Sequence, residues 1–369
     1  MKYFSHLNTA VQILQQYDGH QPFGYFIKQF FHADKKYGSK DRKNISQLCY
    51  AYFRLGKALP DLPIEERILV GLHACLPATA ELLEHLKPAN PIQLPVTDIF
   101  PWSASLTEGI DHPAFCFSFL VQPDLFLRLR AGKEQIVKEK LQQANMPFKE
   151  ITASCLALPN ASKVDTAIEI DTEAVIQDYS SQRIGEFLKQ IPKPIKVWDA
   201  CAASGGKAIL AYDLLKPIDL TVSDVRDNIL INLDKRFLNA GIKNYNAFIA
   251  DLVTLKQKIP FGPFDLVIAD IPCTGSGTWS RTPDQLFYFD TKEIDRYSNL
   301  QKQIVHNLVP YIKPGGHFLY ITCSVFKKEN EEAVAFIEKQ GLRLLNKGLL
   351  KGYDQKADTM FAALFTTSK

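Results

Sequence analysis

The sequence predicts an α/β protein built on a doubly wound, mostly parallel sheet, with helical and mixed segments ahead of it. Three observations carry that expectation. Residues 195–365 repeat strand, turn and helix several times, the pattern of parallel strands joined by crossover helices. Residues 1–86 show helical periodicity and almost no strand signal. The run 264–278 reads as a short buried strand, stopped by Pro272 and followed by a thiol, Cys273, and two glycines, Gly275 and Gly277.

Length and composition bound the rest. A chain of 369 residues has room for two or three domains, each with its own core. Hydrophobic content of 46% and charged content of 22% are those of an ordinary soluble globular protein. The apolar runs fall short of the ~20 residues that a membrane span needs, so no membrane partner is expected. The start, Met1-Lys2-Tyr3-Phe4-Ser5-His6, has no apolar signal core, which points to the cytoplasm. Seven widely spaced cysteines without a Cys-x-x-Cys pair argue against zinc or a disulfide framework, and no metal is expected. The net charge of +3 is small but uneven: residues 1–60 hold nine Lys/Arg against three Asp/Glu.

In chain order, Leu7, Ala10, Val11 and Leu14, then Ile45, Leu48, Cys49 and Phe53, repeat at helix spacing, giving an all-helical domain of about five helices over 1–90. Inside it lies a basic turn with Lys35, Lys36, Lys40, Arg42 and Lys43, entering a helix through a Ser39 or Asp41 cap. Such a turn is either a solvated loop or a phosphate-contacting patch. Four prolines (Pro88, Pro91, Pro95, Pro101) mark a linker over 91–114. Residues 115–180 form a small α/β subdomain with a helix at 133–145. Its strand 125–130 alternates apolar and basic, which would put Arg128 and Arg130 on the wet face. The catalytic-type sheet occupies 181–369, with strands at 196–199, 220–223, 247–250, 266–269, 317–322 and 360–365.

The chemistry concentrates at the carboxyl ends of these strands, where open α/β sheets bind ligands. The loop Asp199-Ala200-Cys201-Ala202-Ala203-Ser204-Gly205-Gly206-Lys207 follows the first strand and opens a helix, so its glycines and free N–H groups can meet a ligand closely. Asp224 ends the second strand and suits a ribose, or caps the next helix; Asp251 and Asp270 end the third and fourth. Like charges gathered at one edge favour a nucleoside cofactor such as S-adenosylmethionine over three unrelated caps. Cys273 follows the fourth strand and Cys323, in Thr322-Cys323-Ser324, the fifth. Adjacent strands in such a sheet would turn both thiols into one cleft.

The loop 199–207, Asp224-Val225-Arg226, Asp270-Ile271-Pro272-Cys273, Arg281-Thr282-Pro283-Asp284 and Thr322-Cys323-Ser324 with Glu329-Asn330-Glu331 resemble the RsmB/Sun family. Its members are S-adenosylmethionine-dependent RNA cytosine-C5 methyltransferases. The resemblance extends to Gln177-Asp178-Tyr179-Ser180-Ser181-Gln182, and the helical start resembles a NusB-like RNA-binding domain. It implies a Rossmann-like class I methyltransferase domain with S-adenosylmethionine held by Cys201, Ala202, Ala203, Ser204, Gly205, Gly206, Lys207, Asp224, Arg226, Asp251 and Asp270. It further implies that Cys323 attacks carbon 6 of cytosine, that Asp270 acts near N3, that Cys273 assists release, and that Lys207 steadies the cofactor or base. The family loop usually carries proline where Ser204 stands, and alanine or proline where Ile271 stands. The partner implied is RNA, above all small-subunit ribosomal RNA, not DNA. It would be gripped by Lys35, Lys36, Lys40, Arg42, Lys43, Arg128, Arg130 and Arg281, with a monomer favoured. A transfer-RNA enzyme and a non-catalytic RNA-binding assembly factor are the alternatives.

Overall fold

The computed structural model describes residues 2–77, 79–88, 92–194, 196–255 and 259–368. The chain divides into two compact units, 1–123 with 278–291 and 353–356, and 124–277 with 292–352 and 357–369. The expected boundary at residues 90 and 91, Pro91 included, lies outside the described residues. Among the described residues no helix is long and apolar enough to cross a membrane.

The first unit is helical. Helices Lys2–Gln16, Phe23–Ala33, Ser39–Arg54, Ile64–Ala74 and Ala80–His85 cover the stretch where helical spacing was read, and the apolar stripes are buried, with Leu7, Ala10, Ile45, Leu48 and Cys49 at 0–1% exposure. Asp41 accepts from the Gly38 amide at 3.2 Å and so caps Ser39–Arg54, one of the two caps foreseen. The proline-rich stretch is packed rather than free. Ile99 and Phe100 are wholly buried, and Phe100 stacks on Phe119 at 6.1 Å because the prolines stop regular structure without removing apolar side chains. Segment 278–291, which carries Arg281, is part of this unit: Asp284 accepts from the Phe23 amide (3.2 Å) and the Tyr17 hydroxyl (3.3 Å).

The second unit holds two sheets. Strands β1 (Leu125–Leu129), β2 (Lys149–Thr152), β3 (Cys155–Leu158) and β4 (Ala174–Ile176) form an antiparallel sheet in the order β2-β3-β1-β4. The larger sheet comprises β5 (Lys196–Asp199), β6 (Asp219–Asp224), β7 (Tyr245–Ile249), β8 (Phe264–Asp270), β9 (Ile312–Thr322), β10 (Leu342–Leu350) and β11 (Met360–Thr367). Their order is β10-β11-β9-β8-β5-β6-β7, parallel from β9 to β7, with β11 antiparallel to both neighbours. This is the mostly parallel, Rossmann-like sheet the sequence predicts.

The period of two in the strands sorts side chains onto two cores. Leu266 and Ile268 face one side, with Val197, Val222, Ile209 and Phe237; Val267 and Ala269 face the other, with Trp198, Phe318, Val305 and Ile337. Each fully buried aliphatic or aromatic side chain contributes about 1.5–3 kcal/mol, so the central strands are the stable frame.

Three readings need correction. Strand β10 was not foreseen, because the register shift between Leu344 and Asn346 breaks the apolar alternation that marks a strand. Strand β9 starts at Ile312 rather than at the expected 317, so Lys313-Pro314-Gly315-Gly316 lies inside it, beside a register shift against β8. Arg128 and Arg130 do not face water. Arg128 is 7% exposed and bonds Asp213 at 2.8 Å and Gln177 at 2.8 Å, while Arg130 reaches Asp213 at 2.6 Å. Asp213, on helix Gly206–Leu215, thus ties the small sheet to the large one; residues 124–180 of the expected 115–180 subdomain share a unit with the large sheet, whereas 115–123 belong to the helical unit. Asp213→Ala leaves two largely buried guanidinium groups unpaired, and a loss of about 3–5 kcal/mol in urea unfolding is expected; an unchanged midpoint would show the pair to be dispensable.

Candidate active site

Strand β5 delivers Asp199 to the sheet edge and the chain turns at once into the loop 200–205. Ala203 (φ 47°) and Gly205 (φ 85°) take left-handed conformations there. At Gly205 a Cβ would meet Phe237 at 2.7 Å, so only glycine lets the loop close on helix Asp227–Ala240. Nothing lies within 4 Å of where a Cβ at Gly206 would stand, and the first-turn amides of Gly206–Leu215 have no intrahelical acceptors. That is a cradle for an anionic or polar ligand end.

Ser204 is held from outside. Arg236 donates to its carbonyl (3.0 Å) and hydroxyl (3.1 Å), and is itself paired with buried Asp171 at 2.8 Å. This clamp immobilises the loop at the position where a proline is usual. Asp224 accepts from the Ala203 amide (3.0 Å) and from Arg226 (3.0 Å). Burial pushes its pKa up, but Arg226 and the backbone amides win and hold it below the usual carboxylate range. The expectation for Asp251 is not met in form: β7 ends at Ile249, and exposed Asp251 accepts from Val253 N and Thr254 Oγ1 in its own turn.

Strands β8 and β9 pair in parallel with Asp270 opposite Ile321, which brings the following residues into one cleft. Cys273 Sγ and Cys323 Sγ stand 3.3 Å apart, both partly exposed. Gly277 makes this approach possible: its amide donates to the Cys323 carbonyl at 2.8 Å, and a Cβ there would lie 1.9 Å from the Thr359 carbonyl. Lys207 Nζ bonds Asp270 Oδ2 at 2.9 Å and Ser181 Oγ at 2.8 Å. Burial pushes the Lys207 pKa down, yet the carboxylate of Asp270 outweighs it and holds the ammonium charged. For Cys273, the hydrogen bond to Cys323 and then burial push the thiol well above its usual range.

Lys207, Asp270, Cys273 and Cys323 therefore meet as the motifs predict. Three further groups were not singled out. Asp199 is wholly buried with neither carboxylate oxygen hydrogen-bonded, and burial with the Asp270 charge pushes its pKa up to about 7. Ser181 anchors Lys207. Glu329 is buried behind the two cysteines. Asp199 and Glu329 stand inside the quoted motifs, but nothing local shows that they are buried.

In the helical unit the basic residues sort into two grooves. One, of about 440 Å³, is lined by Lys28, Phe31, His32, Lys35 and Arg42; the other, of about 580 Å³, by Lys40 and Lys43 among others. Lys36 pairs with Asp34 at 2.7 Å and Lys40 with Glu81 at 3.0 Å. Lys35 and Lys43 are exposed, and Arg281 is half-buried.

The family described as 16S rRNA methyltransferase RsmB/F matches residues 188–361. Ribosomal RNA small subunit methyltransferase B of Xanthomonas campestris is 29% identical over 194 residues, 49% of this chain and 44% of that protein. The mouse protein called tRNA (cytosine(72)-C(5))-methyltransferase NSUN6 is 34% identical over 176 residues, 41% of this chain and 36% of that one. The aligned stretches thus span less than half the length of these relatives. Among solved structures, PH0851 superposes with a TM-score of 0.73 at 18% identity, covering 100% of this chain and 98% of its own. The structure of NSun6 from Pyrococcus horikoshii with SFG has a TM-score of 0.59 at 13% identity, covering 70% and 94%. These likenesses show a shared fold. The glycine loop, the Lys207–Asp270 pair and the thiol pair all fall within residues 188–361, the segment that matches the RsmB/F methyltransferase family.

Proposed function

We propose that the protein transfers a methyl group from S-adenosylmethionine to carbon 5 of a cytosine in RNA, with small-subunit ribosomal RNA as the substrate. The observation that carries this reading is the pair of thiols 3.3 Å apart beside the Lys207–Asp270 pair. The cofactor would be held by the 201–207 loop, with its ribose on Asp224 and its adenine against the exposed apolar side chains of Val225 and Ile249. The open space at Gly206, at a helix N-terminus, fits the carboxylate of such a ligand, and the unsatisfied carboxylate of Asp199 fits a positively charged group on it. When bound, it supplies an electrophilic methyl group on a sulfonium.

The chain's own groups do the rest. Carbon 5 of cytosine is a poor nucleophile until a thiolate adds at carbon 6. Cys323 makes that bond, and Asp270, held by Lys207, hydrogen-bonds the ring at N3 as charge develops. After methylation, Cys273 assists removal of the carbon-5 proton, and the Cys323–carbon bond breaks. The target must be unpaired or flipped out to enter such a cleft. The helical unit serves as a NusB-like RNA-binding domain, with phosphates in its two basic grooves. A monomeric, cytoplasmic setting belongs to the same proposal.

The test is methyl incorporation into small-subunit ribosomal RNA, with bisulfite sequencing to find the base. A transfer-RNA arm is included because the mouse relative is named for that substrate. No incorporation into either, with no S-adenosylmethionine binding, would leave a non-catalytic RNA-binding factor as the reading. Neutralising Lys35, Lys40, Arg42 and Lys43 should weaken binding of all RNA sequences alike. The slope of log affinity against log salt should flatten by about one for each phosphate released from the patch; an unchanged slope makes the patch a solvated loop.

A further inference from the structure

Glu329 is wholly buried, and four hydrogen bonds converge on its carboxylate. Oε1 accepts from the Thr274 amide at 2.9 Å and Gln301 Nε2 at 3.0 Å. Oε2 accepts from Thr274 Oγ1 at 2.6 Å and from Ser324 Oγ. Thr274 follows Cys273 and Ser324 follows Cys323, so one carboxylate grips the residue after each thiol. Gln301 extends the grip to the other side, donating to the Pro272 carbonyl at 3.1 Å. Its own orientation is set by Tyr320, whose hydroxyl donates to Gln301 Oε1 at 3.1 Å or to the Glu329 carbonyl at 2.7 Å.

A buried carboxylate is an expensive clamp. Removing it from water costs several kcal/mol before its hydrogen bonds offset that. A neutral amide could take part in such a network without the charge, so the charge calls for a reason. It lies where it bears on Cys273: after the Cys323 hydrogen bond, burial and the Cys323 charge, the Glu329 charge adds to the forces that keep the Cys273 proton on. The other ionisable groups bearing on the pair are Lys207 from helix Gly206–Leu215, which interacts with Cys323, and Tyr320 on β9, which interacts with Cys273; Asp270 at the end of β8 bonds Lys207. Lys207 acts from the Cys323 side and is already engaged by Asp270.

We propose that Glu329 is a positioning residue for the two-thiol reaction: its one carboxylate, bonded to the residue after each thiol, locks the segments carrying Cys273 and Cys323 at reacting distance. This rests on the cysteine roles proposed above.

The experiment uses the full chain without RNA or cofactor, so it fails independently of the proposed activity. Iodoacetamide labelling of each cysteine is followed by peptide mass spectrometry between pH 6 and 9.5. In Glu329→Gln, Cys273 labelling at pH 8 should rise several-fold, because the segment loosens and a neighbouring charge that holds the thiol proton is lost. Buried Cys155 should stay unlabelled, which reports an intact fold. Equal Cys273 labelling in wild type and a folded Glu329→Gln overturns the charge role. Thr274→Val keeps the charge and removes one donor, so it remains informative if Glu329→Gln does not fold. Closure of a Cys273–Cys323 disulfide by diamide should slow about tenfold in it, since small displacements of reacting atoms have effects of that size. An unchanged closure rate overturns the clamp.

Discussion

Cys323→Ala is expected to lower methyl transfer by about a thousandfold or more and to trap no RNA, while Cys273→Ala accumulates a stable protein–RNA adduct. The two sulfurs are only 3.3 Å apart, so proximity does not distinguish them. What separates them is environment. Cys273 is held protonated by its hydrogen bond to Cys323 and by burial, whereas Cys323, directly after β9, interacts with the Lys207 ammonium. Under the proposed function, removing Cys323 leaves no thiol to form the carbon–sulfur bond, so carbon 5 is not activated, whereas removing Cys273 lets the bond form but takes away the group that assists its breakdown, so the intermediate persists. Adduct yield on denaturing gels, with S-adenosylmethionine present, reads this directly. The reverse pattern would make Cys273 the nucleophile and Cys323 the releasing group.

Asp199→Asn is expected to stabilise the protein at pH 8 by about 2–4 kcal/mol and to leave stability at pH 4 nearly unchanged. Asp199 is 0% exposed and has no hydrogen-bond partner for either oxygen. Burial, then the charge of Asp270, raises its folded pKa from 3.8 to about 7. The sign follows from linkage. Below about pH 4 both folded and unfolded forms are protonated and the fold carries no penalty. Between about pH 4 and 7 the unfolded chain ionises while the folded one does not, so wild-type stability falls as pH rises through that window. The amide cannot ionise, so the variant's curve is flatter and the gap is largest above pH 7. Thermal melts at pH 4, 6 and 8 measure it. A variant less stable than wild type at pH 8 would show that the ionised carboxylate has a donor in the fold, the Cys201 amide being the candidate. The same residue makes cofactor binding sensitive to pH under the proposed function, because a cationic ligand favours the ionised form.

Much of this was legible residue by residue. The frame β5 was read with its observed bounds, Lys196–Asp199, because a short apolar run between a proline and a glycine loop has few alternatives. The meeting of Cys273 and Cys323 was legible too, since strand order in a doubly wound sheet places β8 beside β9. The helical start, the Asp41 cap and the glycine cradle depend on neighbours within a few positions, and sequence records those directly.

What escaped has a common cause. Arg128 and Arg130 have the spacing of wet-face residues, yet Asp213, more than eighty positions away, turns them inward. Arg236 grips Ser204 across 32 residues and Asp171 across 65, and Glu329 reaches Thr274 across 55. No local pattern announces such pairs, because they depend on which surfaces the packed sheet brings together and on which side chains that packing takes out of water. The bulge in β10 is the same lesson for the backbone: one extra residue erased the alternation, and only pairing with β11 restores it as a strand. Local period and motif chemistry decided the elements and the reacting groups. Burial, created when distant segments pack, decided how those groups are held and where their protons lie.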